Sequence, residues 1–188
     1  MDDRDHRWQA VERAYRDHAD DVYRVAFSIL RDPDAAVDAT HDTFARAFDR
    51  WHQYDANRPL RAWLHGIVSH AALDMLRRRR VRALAIPALG RVHDSTSAAN
   101  GTGDPAGHVP DRELISAAMD GLKPEARAAL VLRHYYGYDY AEIARFLRTS
   151  PGNVGSILSR AHATLRVQLA SDPTEPPTEL PAPRRAQR

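Results

Sequence analysis

Gly137–Leu169 reads GYDYAEIARFLRTSPGNVGSILSRAHATLRVQL, and its punctuation predicts two helices joined by a tight turn. Asp139 and Glu142 have the spacing of a capping box, in which the Asp carboxylate accepts an early helix N–H and the Glu reaches back to the N–H of Asp139. A helix therefore starts at Tyr140 and carries Ala141, Ala144 and Leu147 at helical spacing. Arg148-Thr149-Ser150-Pro151-Gly152 interrupts it, because the residue before a proline avoids the α region and proline suits the first turn of a new helix. Ser150 is the expected N-cap. In the second helix Val154, Ile157, Leu158, Ala161, Leu165 and Leu169 make an apolar stripe, leaving Asn153, Ser156, Arg160 and His162 on the other side. A short Gly-containing connection before a helix with a polar outer face is the helix-turn-helix pattern, whose second helix fits a DNA major groove.

Working backward, Lys123-Pro124 opens a helix with Ala126, Ala129, Leu130 and Arg133, and Gly137 stands where a left-handed helix terminus is wanted. Leu114, Ala118 and Leu122 mark a helix before it. Residues 83–110 lose all periodicity and read as a flexible linker. Ahead of the linker, residues 7–31 are amphipathic over one long or two short helices, and Asp32-Pro33 restarts the chain as N-cap and first-turn proline. The next helix places Val37, Thr40, Phe44, Phe48 and Trp51 on one face and Asp34, Asp38, His41, Asp42 and Arg46 on the other. Tyr54–Arg58 is a polar loop, and Pro59 opens a third helix with Leu60, Trp63, Leu64, Ile67, Ala71, Met75 and Leu76 in register, ending in Arg77–Arg80. Residues 171–188, with their recurrent prolines, read as a disordered tail. The expected architecture is all-α: a helical domain over 1–82, the linker over 83–110, a helix-turn-helix domain over 111–170 and the tail over 171–188.

Composition narrows the function. No run has the eighteen or so uncharged apolar residues of a membrane span, and the charged N-terminus has no signal core, so a soluble cytoplasmic protein is expected. The chain has no cysteine, which removes disulfide frameworks and thiolate zinc sites. Charge is segregated: residues 1–57 hold 8 Arg against 13 acids, residues 59–82 hold 6 Arg against one. That points to two different partners. Arg77–Arg80 suits phosphate neutralisation and equally suits a solvated helix end meeting its own dipole. Trp51, Tyr54 and Trp63 flank the loop beside this basic helix, a combination able to stack unpaired bases, although Trp63 also lies on the apolar stripe. The ten histidines show no compact ligand spacing, and no nucleophile elbow, phosphate loop or dinucleotide turn is present. No enzyme activity, cofactor or metal is expected.

Two stretches resemble one family. YRDHADDVYRVAFSILRDPDAAVDATHDTFARAFDRWHQYDANRPLRAWLHGIVSHAALDMLRRRR is similar to region 2 of the extracytoplasmic-function sigma factors, and LKPEARAALVLRHYYGYDYAEIARFLRTSPGNVGSILSRAHATLR to their region 4, in the right order. The resemblance implies a bacterial transcription-initiation subunit that binds core RNA polymerase and promoter DNA. It implies that Asp38, His41, Asp42 and Arg46 meet the clamp helices of the largest polymerase subunit. It assigns capture of the melted −10 element to Tyr54, Asn57, Arg58 and to Arg61, His65, Ser69, His70, Asp74, Arg77 and Arg78 on the exposed side of the third helix. It assigns −35 duplex reading to Arg148, Ser150, Asn153, Ser156, Ile157 and Arg160, with the β flap as a further contact, and implies control by an anti-sigma factor. The rival is a helix-turn-helix regulator whose first domain senses or dimerises. Two departures stand out. Asp38-Ala39-Thr40-His41-Asp42 replaces the family's acidic-apolar-x-Gln-Glu, and Gly152-Asn153-Val154-Gly155-Ser156-Ile157 lacks two of its cations.

Overall fold

The computed structural model describes residues 3–85 and 110–170, and every regular element among them is helical. The expected tail lies outside the described residues, as does the expected linker except at its ends, where 83–85 continue one helix and 110 begins the next.

α1 (Asp3–Leu30) is one continuous helix. It stops where Arg31 turns left-handed at φ 54°, and Asp32 then caps α2 (Pro33–Asp49), its carboxylate accepting from the Ala35 N–H at 3.0 Å. Arg79 of α3 (Leu60–Ala85) donates to the other Asp32 oxygen at 3.0 Å, so one carboxylate joins three helices. That backbone bond first, and then Arg79, hold the Asp32 pKa below its ordinary value, against the opposing effect of burial. α2 packs through Ala35, Ala36, Ala39, Thr40, Thr43, Phe44 and Ala47, with the two threonine hydroxyls returned to the carbonyls of Ala36 and Ala39. Val37, expected on that face, is 43% exposed. Small alanines bring α1 and α2 close together, and the buried arc centres on them rather than on the bulky residues that a pattern reading favours.

α4 (Pro110–Asp120) and α5 (Pro124–Leu130) lead into a π-helical turn, Val131–Tyr135. Gly137 follows with φ 74°, a conformation glycine adopts without cost. The capping box of Asp139 and Glu142 forms and starts α6 (Tyr140–Leu147). The turn into α7 (Pro151–Ala170) is made by Arg148, left-handed at φ 52°, and not by a glycine; Gly152 lies inside α7. Ser150 caps α7 through the Asn153 N–H at 3.2 Å. Leu132, Ile143 and Val154, all fully buried, centre this second unit.

The two units pack on each other. α1 meets α5, and α3 meets α6. Arg127, only 7% exposed, donates from α5 to the carbonyls of Ser28 at 2.8 Å and Ile29 at 2.6 Å, in the last turn of α1, and to Leu122 at 2.6 Å. Arg31 pairs with Asp120 at 2.6 Å, and the Tyr136 hydroxyl donates to the Asp21 carbonyl at 3.1 Å. The Phe146 ring lies 3.4 Å from where a β-carbon on Gly66 would stand. α3 is packed from both units, and Val68, Ala72 and Leu73, absent from the expected stripe, are in the core.

Candidate nucleic-acid interface

On α7 the row Asn153, Ser156 and Arg160 is exposed and adjoins Ser159 and the two small residues Gly152 and Gly155 on an open surface. Its side chains are held in place: Asn153 Nδ2 donates to Thr149 Oγ1 at 2.7 Å and Arg160 Nε to the Ser156 carbonyl at 3.1 Å. Arg148 and Ser150 are exposed at the turn, and Arg145 and Arg166 add exposed cations. Ile157 is half-buried and packs on the core, so the structure places it at the edge of this row. His162 leaves the row altogether: it sits on the opposite flank of α7 and meets His134.

The second surface lies on the first unit. Trp51, Tyr54 and Trp63 form a three-ring cluster with centroids 5.5, 5.9 and 5.2 Å apart, all three half-buried. The loop beside it is preordered. The Tyr54 hydroxyl donates to the Arg58 carbonyl at 2.8 Å, and Asp55 accepts from the backbone and side chain of Asn57, both at 3.0 Å. Asn57, Arg58 and Arg61 are exposed, and Arg61 lies over the Tyr136 ring at 5.6 Å. Farther along α3, Arg77 and Arg78 are exposed while His70 and Asp74 are half-buried. Arg77 pairs with Asp74 at 2.8 Å and Arg79 with Asp32, so the four-arginine run carries less net charge than its letters suggest.

His65 and Ser69, expected on the exposed side of α3, are both fully buried, because the second unit covers that side. Tyr136 packs edge-on to the His65 ring at 4.3 Å, and the Tyr138 hydroxyl bonds to His65 Nδ1 at 3.0 Å. Burial raises both tyrosine pKa values, so both hydroxyls keep their protons. Burial lowers the His65 pKa to about 4; Asp21 opposes this, while Arg61 and His18 add to it. His65 Nε2 and Ser69 Oγ are buried with no hydrogen-bond partner. His70 reaches across as well, its Nε2 donating to the Arg145 carbonyl at 3.3 Å.

On α2, Asp38 and His41 are exposed, whereas Asp42 and Arg46 are half-buried and paired with each other at 2.7 Å. Tyr15 of α1 stacks against His41 with centroids 6.4 Å apart. Three features escaped the sequence reading: Arg127 as a clasp between the units, the covering of His65 and Ser69, and the meeting of His134 with His162. All three depend on residues far apart in the chain, and local spacing carries no signal for them.

Comparison with known proteins gives the family. The Sigma-70 region 2 family matches residues 14–82 and the Sigma-70 region 4 family matches residues 112–165. The ECF RNA polymerase sigma factor SigE of Mycolicibacterium smegmatis is 37% identical over 85% of this chain, which spans 62% of that protein's length. The ECF RNA polymerase sigma factor SigL of Mycobacterium tuberculosis is 32% identical, over 85% of this chain and 89% of that one. Among solved structures, the sigma factor RpoE in complex with the anti-sigma factor NepR from Bartonella quintana shares the fold at a TM-score of 0.67 and 20% identity, over 86% of this chain and 97% of that one. With both regions present in order and relatives matched across both, the chain belongs to the ECF family of RNA polymerase sigma factors.

Proposed function

We propose that this chain is a promoter-specificity subunit: it binds core RNA polymerase in the cytoplasm, reads the −35 element as duplex and captures unpaired bases of the −10 element. What carries the reading is the pairing, in one chain, of two chemically different surfaces. The exposed row Asn153, Ser156 and Arg160 suits base edges in a major groove, and the ring cluster of Trp51, Tyr54 and Trp63 beside Asn57, Arg58 and Arg61 suits stacked, unpaired bases. Among the described residues no helix is long and apolar enough to cross a membrane. The chain supplies binding and orientation, and the chemistry belongs to the polymerase. Asp38, His41, Asp42 and Arg46 are the proposed clamp contact, with the Arg46–Asp42 pair presenting a fixed rather than a flexible charge pattern. The β flap is a proposed contact of the second unit.

The −10 role of His65, Ser69 and His70 requires the second unit to leave α3. Two buried polar atoms without partners, His65 Nε2 and Ser69 Oγ, weigh against the closed arrangement by roughly 1–3 kcal/mol each. Both recover partners, water or base edges, when the units separate. An anti-sigma protein that grips both units at once would hold them closed.

The test adds purified chain to core polymerase on a promoter library and maps transcript starts. Co-purification with core and defined starts are expected. Duplex binding without either result would overturn the reading in favour of a regulator. A narrower expectation concerns α7. Arg160→Ala should reduce transcription from a −35-dependent promoter by about tenfold, the equivalent of one lost contact of about 1–3 kcal/mol, and leave an extended −10 template nearly unchanged. Equal loss on both templates would show that Arg160 does not read the −35 element.

A further inference from the structure

Of the ten histidines, His134 and His162 meet tip to tip although 28 positions separate them. Their Nε2 atoms are 3.0 Å apart, with ring centroids at 5.1 Å and planes at 69°. His134 belongs to the π-helical turn before the helix-turn-helix, and His162 to α7. Each sits near a buried anchor in its own element, fully buried Leu132 for the first and Ala161, 2% exposed, for the second. Packing therefore fixes the backbone under both rings, while the rings themselves are exposed.

A hydrogen bond between two imidazoles needs one Nε2 protonated and the other bare. Two imidazole nitrogens bound side by side to one divalent ion, each at about 2.0–2.1 Å, stand about 2.9–3.4 Å apart. The pair is already at that separation. Metal binding needs only that the ring protonated at Nε2 change through solvent to its Nδ1–H tautomer and that the exposed rings swing until both Nε2 lone pairs point to one spot.

We infer that His134 and His162 form a two-histidine site for a borderline divalent transition ion, Zn2+, Ni2+ or Cu2+, with solvent completing the coordination. Neutral imidazole selects these ions over the oxygen-seeking Mg2+ and Ca2+. Among the described residues no group of three or more His, Cys, Asp or Glu is placed to hold a metal, so the ion is bound openly and exchangeably. Occupied, the site bridges the turn that precedes the motif to the helix that carries Asn153, Ser156 and Arg160. It steadies the recognition helix without touching its polar row.

The test uses the full chain without an affinity tag, titrated with Cu2+, Ni2+ and Zn2+ in a non-chelating buffer near neutral pH. One equivalent should bind at this site, Cu2+ tightest in keeping with the order of divalent affinities. His134→Gln and His162→Gln should each weaken that event by at least the roughly tenfold that losing even an outer partner of a metal site costs. The thermal midpoint should rise with metal in the parent chain and not in either variant. His52→Gln, an exposed histidine on the first unit, should change nothing. Both rings are exposed, so the variants should fold, and the metal-free midpoint checks that they do. Undiminished binding in both variants, or no binding at millimolar metal, would overturn the assignment.

Discussion

Arg127→Ala is expected to destabilise the closed arrangement by about 3–5 kcal/mol, the net of three lost bonds to a charged donor less the cost of burying that charge. The guanidinium donates to three carbonyls, two of them in the last turn of α1, and no carboxylate is among these bonds. Helix-end carbonyls have no partner within their own helix. Alanine leaves the oxygens of Ser28, Ile29 and Leu122 buried and unpaired, and each lost bond to a charged donor is worth about 1.5–3 kcal/mol before the gain from not burying the charge. Burial first, then the nearby Arg31, pull the Arg127 pKa down, while Asp120 and Glu125 pull it up. At neutral pH the guanidinium remains charged. Lysine should not rescue the loss, since one ammonium cannot reproduce a planar fork serving three acceptors. Urea unfolding of the parent chain, Arg127→Ala and Arg127→Lys checks this; a loss below about 1 kcal/mol would mean that the three bonds are not a clasp.

Mild acid should release the second unit from α3. The neutral His65 of the closed form has a pKa of about 4 against an ordinary 6.5. Between those values the open or unfolded chain takes up a proton that the closed form refuses, so falling pH favours opening. The contribution of His65 is complete above about pH 6.5 and fades as pH drops toward 4, for a total of about 3 kcal/mol. Between about pH 7 and pH 5, above most carboxylate titration, the expected loss is about 2 kcal/mol. His70, also lowered chiefly by burial, acts with the same sign. The distance between labels on α1 and α7, followed by energy transfer, should lengthen over this range in the parent chain. In His65→Leu the dependence should be much weaker. An unchanged dependence in that variant would assign the acid effect to other groups.

The local punctuation of the chain could be read directly from its residues, and the contacts between its halves could not. Asp32-Pro33, the capping box of Asp139 and Glu142, Ser150 before Pro151 and the left-handed Gly137 each act within a few residues, and each is present. The resemblance of the two regions to one family rests on the same local order. The alanine face of α2 escaped notice because close approach of helices is signalled by small side chains, which an apolar-stripe reading underweights. His65 and Ser69 fall on the polar-looking side of α3, and the sequence around them gives no sign that Tyr136 and Tyr138 pack on His65 from the second unit. Arg148 in the turn shows that a left-handed position can be held by a residue other than glycine when the next helix is well capped, at a cost of about 1–2 kcal/mol. The exposed row Asn153, Ser156 and Arg160 was legible as a row, apart from His162, whose partner is 28 positions away.

On the proposed function this chain directs core polymerase to promoters, and its two units must part to do so. The chain has no cysteine, so Arg24→Cys and Tyr135→Cys introduce a unique pair across the boundary where the Arg24 guanidinium and the Tyr135 hydroxyl are 3.2 Å apart. A bis-maleimide with a reducible spacer then locks the units together, and run-off transcription with core polymerase is measured before and after reduction. The predicted result is no defined transcript from the locked chain and full, defined starts once the spacer is cut. Equal transcription from the locked chain, or no defined start in either state, would contradict it.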